Sequence, residues 1–312
     1  MTLSILHTGD AWWLKTVNGA AKIATAATTT GGLLADRAAI EGASRSTDTV
    51  AIDTLKPVSP VTRPCRVVAQ MTNFESHVKD AGTDPTSIPL TFFRKASASI
   101  SGPYDDIVKP SHVSLLDYEV EIALVIGRAI PVGTSISDAN LADFIAGLVV
   151  ANDVSARDIQ LPQTQFYEAK SYPTFTPVGP VLVLLEAEEL KRFGDLRLRL
   201  SVNGTERQNA LVEGDMLYRP LEALQSLTQF QELAPGDLIL TGTPIGTALS
   251  APPKPVEIIG NLLPPAIKWK VFFRRQAANP KYLRSGDVVE ASVATDDGAI
   301  DLGTQRTVVR YA

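Results

Sequence analysis

The sequence predicts a β-rich α+β protein with a small N-terminal domain, and three observations carry that expectation. From Arg66 onward the chain breaks into short β-branched runs separated by turn residues. The run LRLRLSV, ending at Val202, alternates strictly and then meets Asn203-Gly204, the strongest short hairpin signal. The regular helical crossovers that a parallel doubly wound sheet needs are not found. Residues 1–62 are set apart from a main unit, 63–312, by their richness in Ala and Thr. They run into the Pro-rich KPVSPVTRP, which cannot continue a helix or a central strand.

The elements follow in chain order. LLADRAAIEGA, from Leu33, has helical periodicity. Leu115 to Gly127 is a strand. SDANLADFI predicts a helix from Ser137, its N-cap, to Ile145, ended by Gly147. Leu148 to Ala151 is a buried strand running into Asn152-Asp153. Pro220 starts a helix through Leu221, Leu224 and Leu227, with Pro at the favoured first position. LAPGDLILTGT from Leu233 and LRSGDVVEASV from Leu283 are two versions of one unit, a Gly-Asp turn and then a β-run. Between them lies a long excursion, 251–281, Pro-rich at first and then strand-like at AIKWKVFF.

The stretch LLDYEVEIALVIG is the most informative. As a strand it puts Tyr118, Val120, Ile122, Leu124 and Ile126 on one face. The other face carries Asp117, Glu119 and Glu121 and then turns apolar at Ala123 and Val125. A solvated face would stay polar along its length, so this strand is expected to enter the protein on both sides. Acids at i, i+2 lie about 7 Å apart. Half-buried, they repel and lose hydration unless a cation is present, and a divalent metal would remove the conflict. The plain alternative is a surface strand whose acids face water.

The bulk numbers exclude several classes. The 312 residues are 45% hydrophobic and 20% charged, with a formal net charge of -5. No Lys/Arg run stands out, which argues against a nucleic-acid partner. No segment is apolar for the ~18 residues of a membrane helix, and MTLSILHTGDAWW lacks the basic and apolar regions of a signal peptide. The lone Cys65 suits a reducing compartment and reads as an idle thiol. The expectation is a cytoplasmic protein. There is no G-x-S-x-G, P-loop, H-E-x-x-H or G-x-G-x-x-G. One Cys and three His do not assemble a common zinc site. What remains is carboxylate chemistry with a hard cation: Mg²⁺, Mn²⁺ or Ca²⁺.

Four ordered motifs, DYEVEIALVIG, ANDVSARDIQ, AKSYPTFTPVGP and GDLILTGTPIGT, resemble those of the fumarylacetoacetate hydrolase family across roughly residues 65 to 309. The resemblance implies a catalytic domain built on a mixed β-roll or sandwich, and a homodimer. It implies one divalent cation, usually Mg²⁺ or Mn²⁺, held by Glu119, Glu121 and Asp153. Alone, Asp153 would read as a turn or cap before VSAR. Asp117 is then a neighbour of the site.

Lys170 in the same pattern implies a cation that stabilises negative charge developing on the substrate, strongest in a dry pocket. Thr174 matches a position near the metal. Arg157 and Gln160 match substrate contacts, and an Arg fork suits a carboxylate. QMTNFESHVKDAG resembles a lid segment whose His, here His77, removes a proton from water. Asp80 stands where the family has Glu. At i, i+3 it faces His77 if the segment is helical. TFFRKASAS resembles a pocket-bordering stretch, so Lys95 is expected there, with Ala96 for the usual Pro. Thr243 sits in a Gly-rich loop that lets a ligand approach. The other histidines, His7 and His112, match no catalytic position.

The resulting expectation is a metal-dependent hydrolase of C–C bonds in a small β-diketo acid of the acylpyruvate or fumarylpyruvate kind, in aromatic-compound catabolism. Two alternatives stand beside it. One is a decarboxylase or isomerase of oxaloacetate or a 2-hydroxy-dienedioate such as hydroxyheptadienedioate. The other is a metal-binding protein without catalysis.

Overall fold

The computed structural model describes residues 2–163, 166–249 and 264–312. Two sheets form its body. The larger has nine strands in the order Gly19–Lys22, Trp12–Thr16, Leu3–His7, Leu182–Leu184, Ile145–Asn152, Val120–Ile126, Leu238–Leu240, Val67–Gln70 and Phe92–Lys95. All its neighbours are antiparallel except Leu238–Leu240 beside Val67–Gln70. The smaller runs Thr205–Leu211, Leu196–Val202, Val288–Thr295, Asp301–Tyr311 and Ile107–Lys109. It packs across strands Ile145–Asn152 and Val120–Ile126. This is the expected β-rich α+β sandwich.

The strand of acids splits in two. Leu116–Asp117 pairs with Ser155–Ala156, and after Tyr118-Glu119 the chain re-enters the main sheet as Val120–Ile126. Both faces are buried, as the pattern predicts. Tyr118, Val120, Ile122, Leu124 and Ile126 join the core between the sheets, while Ala123 and Val125 join a second core on the far face. That second core also takes Ile5, Trp12 and Leu14 from the N-terminal strands and Leu33, Leu34 and Ile40 from helices Thr30–Ala35 and Arg37–Ser44. The N-terminal strands extend the main sheet, with Leu3 opposite Leu184, so the sheet is continuous across residue 62.

The hairpin at Asn203-Gly204 and the helix Pro220–Leu227 form as predicted. Both Gly-Asp turns lead into strands, Leu238–Leu240 and Val288–Thr295. Two local expectations are overturned. Residues 137–144 hold only a 3₁₀ turn, Leu141–Asp143, and Ile145 already opens a strand. The Asn140 side chain takes the Ser137 N–H at 2.8 Å and donates to the Ser135 carbonyl, offering the backbone an alternative to helix bonds. Gly147 does not end a helix but lies inside a strand. A Cβ there would meet the Val183 carbonyl oxygen at 2.1 Å, so glycine permits the close approach of the neighbouring strand.

The second correction is AIKWKVFF, which lies in a helix, Pro265–Ala277, and not in a strand. Pro at the first position starts it, and Trp269, Phe272 and Phe273 meet at i, i+3 and i, i+4. The earlier, Pro-rich part of the excursion, 251–263, lies outside the described residues. Among the described residues, no helix is long and apolar enough to cross a membrane.

Candidate metal and substrate site

The register of two central strands builds the site. Ala151 stands opposite Glu121 and Asn152 opposite Val120. The Asn152 side chain accepts the Glu119 N–H at 2.9 Å, and the Asp153 N–H donates to the Glu119 carbonyl at 2.8 Å. These bonds fix Asp153 beside the two glutamates. One carboxylate oxygen from each of Glu119, Glu121 and Asp153 lies within 4.8 Å of the others, and all three residues are buried. The triad forms one wall of a cavity of about 330 Å³ that Gln70, His77, Phe93, Arg157, Gln160, Lys170 and Thr243 also line.

Three buried cations balance the acids. Lys170 Nζ donates to Glu119 Oε2 at 2.5 Å and to Asp153 Oδ2 at 2.6 Å. Lys95 Nζ donates to Asp153 and to the Phe175 carbonyl. Arg157 donates from Nη2 to Glu119, from Nε to Asp117 at 2.8 Å, and from Nη1 to Gln160 at 2.7 Å. Asp117 also accepts the backbone N–H groups of Tyr118, Ala248 and Leu249. It is the neighbour the sequence implied, and it anchors the loop that leads into the excursion.

Four acids therefore share three cations, and the shortfall falls on Glu121. Burial and the charges of Asp153 and Glu119 push its carboxyl well above the usual range. Its hydrogen bond is with the Gly242 N–H, at 2.7 Å. Gly242 has φ +89°, and a Cβ there would meet Asn73 Cβ at 2.7 Å. Glu119 is the opposite case. Burial raises its carboxyl, but Arg157 and Lys170 outweigh burial and hold it at about 2. Three converging hard-oxygen donors with one uncompensated carboxylate suit a divalent cation of the Mg²⁺, Mn²⁺ or Ca²⁺ kind.

The other expected residues divide. Thr243 lines the cavity, donating to the Val120 carbonyl and accepting from Gln208 Nε2, each at 2.9 Å. Lys95 supports Asp153 from behind and is absent from the lining. Thr174 also lies off the lining. With φ 70° it turns its hydroxyl to accept the Val108 N–H at 2.8 Å. His77 sits in helix Glu75–Asp80 and faces the cavity, and burial lowers its imidazole below the ordinary value. The expected hydrogen bond to Asp80 is not formed: His77 Nδ1 is buried without a partner. Asp80 closes the same short helix and is not among the residues that line the cavity. Cys65 lies outside the cavity, its thiol pushed up to about 11 by burial.

Several supports carry no sequence signal. Gln208 holds the Val120 N–H and Thr243, and a lone Gln in an alternating strand announces nothing. Asp215 caps the His77 helix from another segment through the Glu75 N–H, the Ser76 N–H and the Ser76 hydroxyl. Gln70 opens the lid-like stretch QMTNFESHVKDAG, but nothing in that stretch marks it for a role.

The chain is similar to known proteins in sequence and in fold. Residues 66–310 match the sequence model described as Fumarylacetoacetate (FAA) hydrolase C-terminal. The chain is 36% identical over 198 residues to the Bos taurus protein named oxaloacetate tautomerase FAHD2A, mitochondrial, covering 63% of this chain and 61% of that protein's length. It is 31% identical over 251 residues to a Sphingomonas protein named 2,4-didehydro-3-deoxy-L-rhamnonate hydrolase, covering 80% of this chain and 75% of the relative. A crystal structure from Mycobacterium abscessus, titled a probable 2-hydroxyhepta-2,4-diene-1,7-dioate isomerase, superposes with a TM-score of 0.75. It is 30% identical, and the match covers 100% of this chain and 99% of that one.

Proposed function

The chain belongs to the fumarylacetoacetate hydrolase family, and from that premise we propose that it is a divalent-cation-dependent tautomerase or isomerase of small 2-oxo acids. The substrates would be oxaloacetate-like or 2-hydroxy-dienedioate-like. One observation carries this reading: the buried carboxylate triad opens on a small cavity whose histidine, among the described residues, has no hydrogen-bond partner at Nδ1 to orient it for water activation. The relatives named oxaloacetate tautomerase and hydroxyheptadienedioate isomerase support it.

Glu119, Glu121 and Asp153 would hold the cation. When bound, it would polarise the 2-oxo carbonyl and withdraw electron density from the neighbouring carbon. Lys170, buried beside the triad, lowers the energy of negative charge that develops on the substrate oxygen. Arg157 has donors committed to Asp117, Glu119 and Gln160, so its part is to build the wall and fix Glu119. His77, kept neutral by burial, takes the proton from the carbon next to the carbonyl and returns it to oxygen or to the next carbon. One C–H bond breaks and one O–H or C–H bond forms, with no water consumed.

A hydrolytic second reading has its own support. A neutral imidazole lines the same cavity, and one relative is named a hydrolase. Product analysis separates the two. Metal-stripped protein is mixed with oxaloacetate and with acetylpyruvate, with and without Mn²⁺, and followed by NMR. Metal-dependent keto–enol interconversion of oxaloacetate without fragments supports the proposal. Acetate plus pyruvate from acetylpyruvate moves the assignment to the hydrolase, and neither outcome with metal present refutes both. A cytoplasmic homodimer, with the site in the 63–312 unit, completes the proposal. Sedimentation checks the assembly.

A further inference from the structure

We propose that Gln70, and not Asp80, orients His77 by accepting the hydrogen bond of its Nδ1–H. The inference rests on the reading of His77 as the proton carrier. Both residues line the same cavity. Each holds one buried side-chain atom with no hydrogen-bond partner, Gln70 Oε1 and His77 Nδ1. These atoms are chemically complementary. An amide oxygen only accepts, and a neutral imidazole carries one N–H.

Which end of the Gln70 amide is oxygen follows from its surroundings. Its Nε2 lies 3.4 Å from the Tyr218 carbonyl oxygen, so turning the amide over would set two oxygens against each other. That carbonyl already takes a better bond from Asn73 Nδ2 at 2.8 Å, which leaves the Gln70 amide weakly held and able to rotate. Gln70 ends strand Val67–Gln70, and His77 follows seven residues later on helix Glu75–Asp80. Thr72, between them, has φ 52°, a conformation unfavourable for a β-branched residue, and it turns the chain back along the cavity. Asp215 pins the start of the helix. The remaining freedom is in the two side chains.

No hydrogen bond joins the pair in this structure, and each orphan carries a desolvation penalty that pairing would remove together. Pairing at Nδ1 leaves Nε2 as the acceptor for a substrate proton. An amide partner also does this without adding a further negative charge to a cavity already short of cations.

The test uses the full-length, metal-loaded protein with ¹⁵N-labelled histidine. In wild type, His77 is expected as the Nδ1–H tautomer. Gln70→Leu, close in size, should mix the tautomers and lower kcat about tenfold to a hundredfold, with KM within about threefold. Gln70→Glu should restore the tautomer. Gln70→Leu combined with His77→Ala should be no slower than His77→Ala alone. An Nε2–H tautomer in wild type overturns the proposal, and that measurement needs no variant to fold. So does a tautomer unchanged by Gln70→Leu, or one set by Asp80→Asn in its place. The NMR signal does not require turnover. A wild-type protein that converts neither oxaloacetate nor a 2-hydroxy-dienedioate, but has the tautomer set by Gln70, would refute the functional reading and leave the positioning role standing.

Discussion

Replacing Asp117 by Asn keeps the shape of a fully buried side chain and removes its charge. The carboxylate takes four hydrogen bonds, two at each oxygen. Oδ1 accepts from the Tyr118 N–H at 2.9 Å and the Ala248 N–H at 2.7 Å, and Oδ2 from the Leu249 N–H at 3.1 Å and Arg157 Nε at 2.8 Å. An Asn has one accepting end, so two donors must face its NH₂ whichever way the amide turns. Removing one partner of a buried ion pair costs about 3–5 kcal/mol. Arg157 keeps Glu119 as a second partner, so the lower end, about 3 kcal/mol, is expected. For a protein of this size, that corresponds to a fall in Tm of roughly 4–5 °C. The assay is calorimetry of wild type and variant at neutral pH, both metal-free. A variant melting within about 1 °C of wild type would refute the argument that Asp117 holds Arg157 and the 248–249 loop together.

Other outcomes follow from the same geometry. Glu121→Gln removes the one carboxylate whose charge is uncompensated, so the metal-free variant should melt at or above wild type while losing the stabilisation that Mn²⁺ gives wild type. A variant still stabilised by Mn²⁺ would contradict this. Burial lowers His77, so its neutral form persists to more acid pH. For the metal-loaded enzyme, kcat/KM should stay flat from pH 8 down through 6.5 and fall only below that, and a fall beginning above 6.5 counts against His77 as a buried neutral base. Gly147→Ala puts a methyl 2.1 Å from a backbone oxygen that cannot move cheaply, so it should destabilise by about 1–3 kcal/mol or more, measured by urea denaturation. Thr243→Val removes the hydroxyl that donates to the Val120 carbonyl and accepts one of the two Gln208 Nε2 hydrogens, the other staying on the Pro244 carbonyl, with an expected loss of about 1–3 kcal/mol in the same assay.

The parts of the chain legible in sequence are those where a local pattern and the tertiary environment agree. The alternation of 115–127, apolar on both sides after Glu121, announced a doubly buried strand, and Asn203-Gly204 needed no context. Residues 137–145 misled because helix-like spacing says nothing of a side chain such as Asn140 competing for the backbone. AIKWKVFF alternates as a strand would, but its aromatics also meet at helical spacing, and only packing decides. In the site, Glu119 and Glu121 were visible as a pattern, while Asp153 and Lys170 took their meaning from the family motifs. Asp80 was placed by the family pattern, with its spacing from His77 along a helix as support, and spacing fixes neighbours and not which of them line a cavity. Asp215 acts across folds of the chain, where no spacing rule reaches.

The central claim is that Glu119, Glu121 and Asp153 bind one divalent cation. Metal-stripped protein titrated with Mn²⁺ and followed by EPR tests it most directly. One bound Mn²⁺ per chain in wild type, lost in Glu121→Gln and in Asp153→Asn, is the predicted result. Unchanged binding in both variants, or free Mn²⁺ throughout the wild-type titration, would contradict the account.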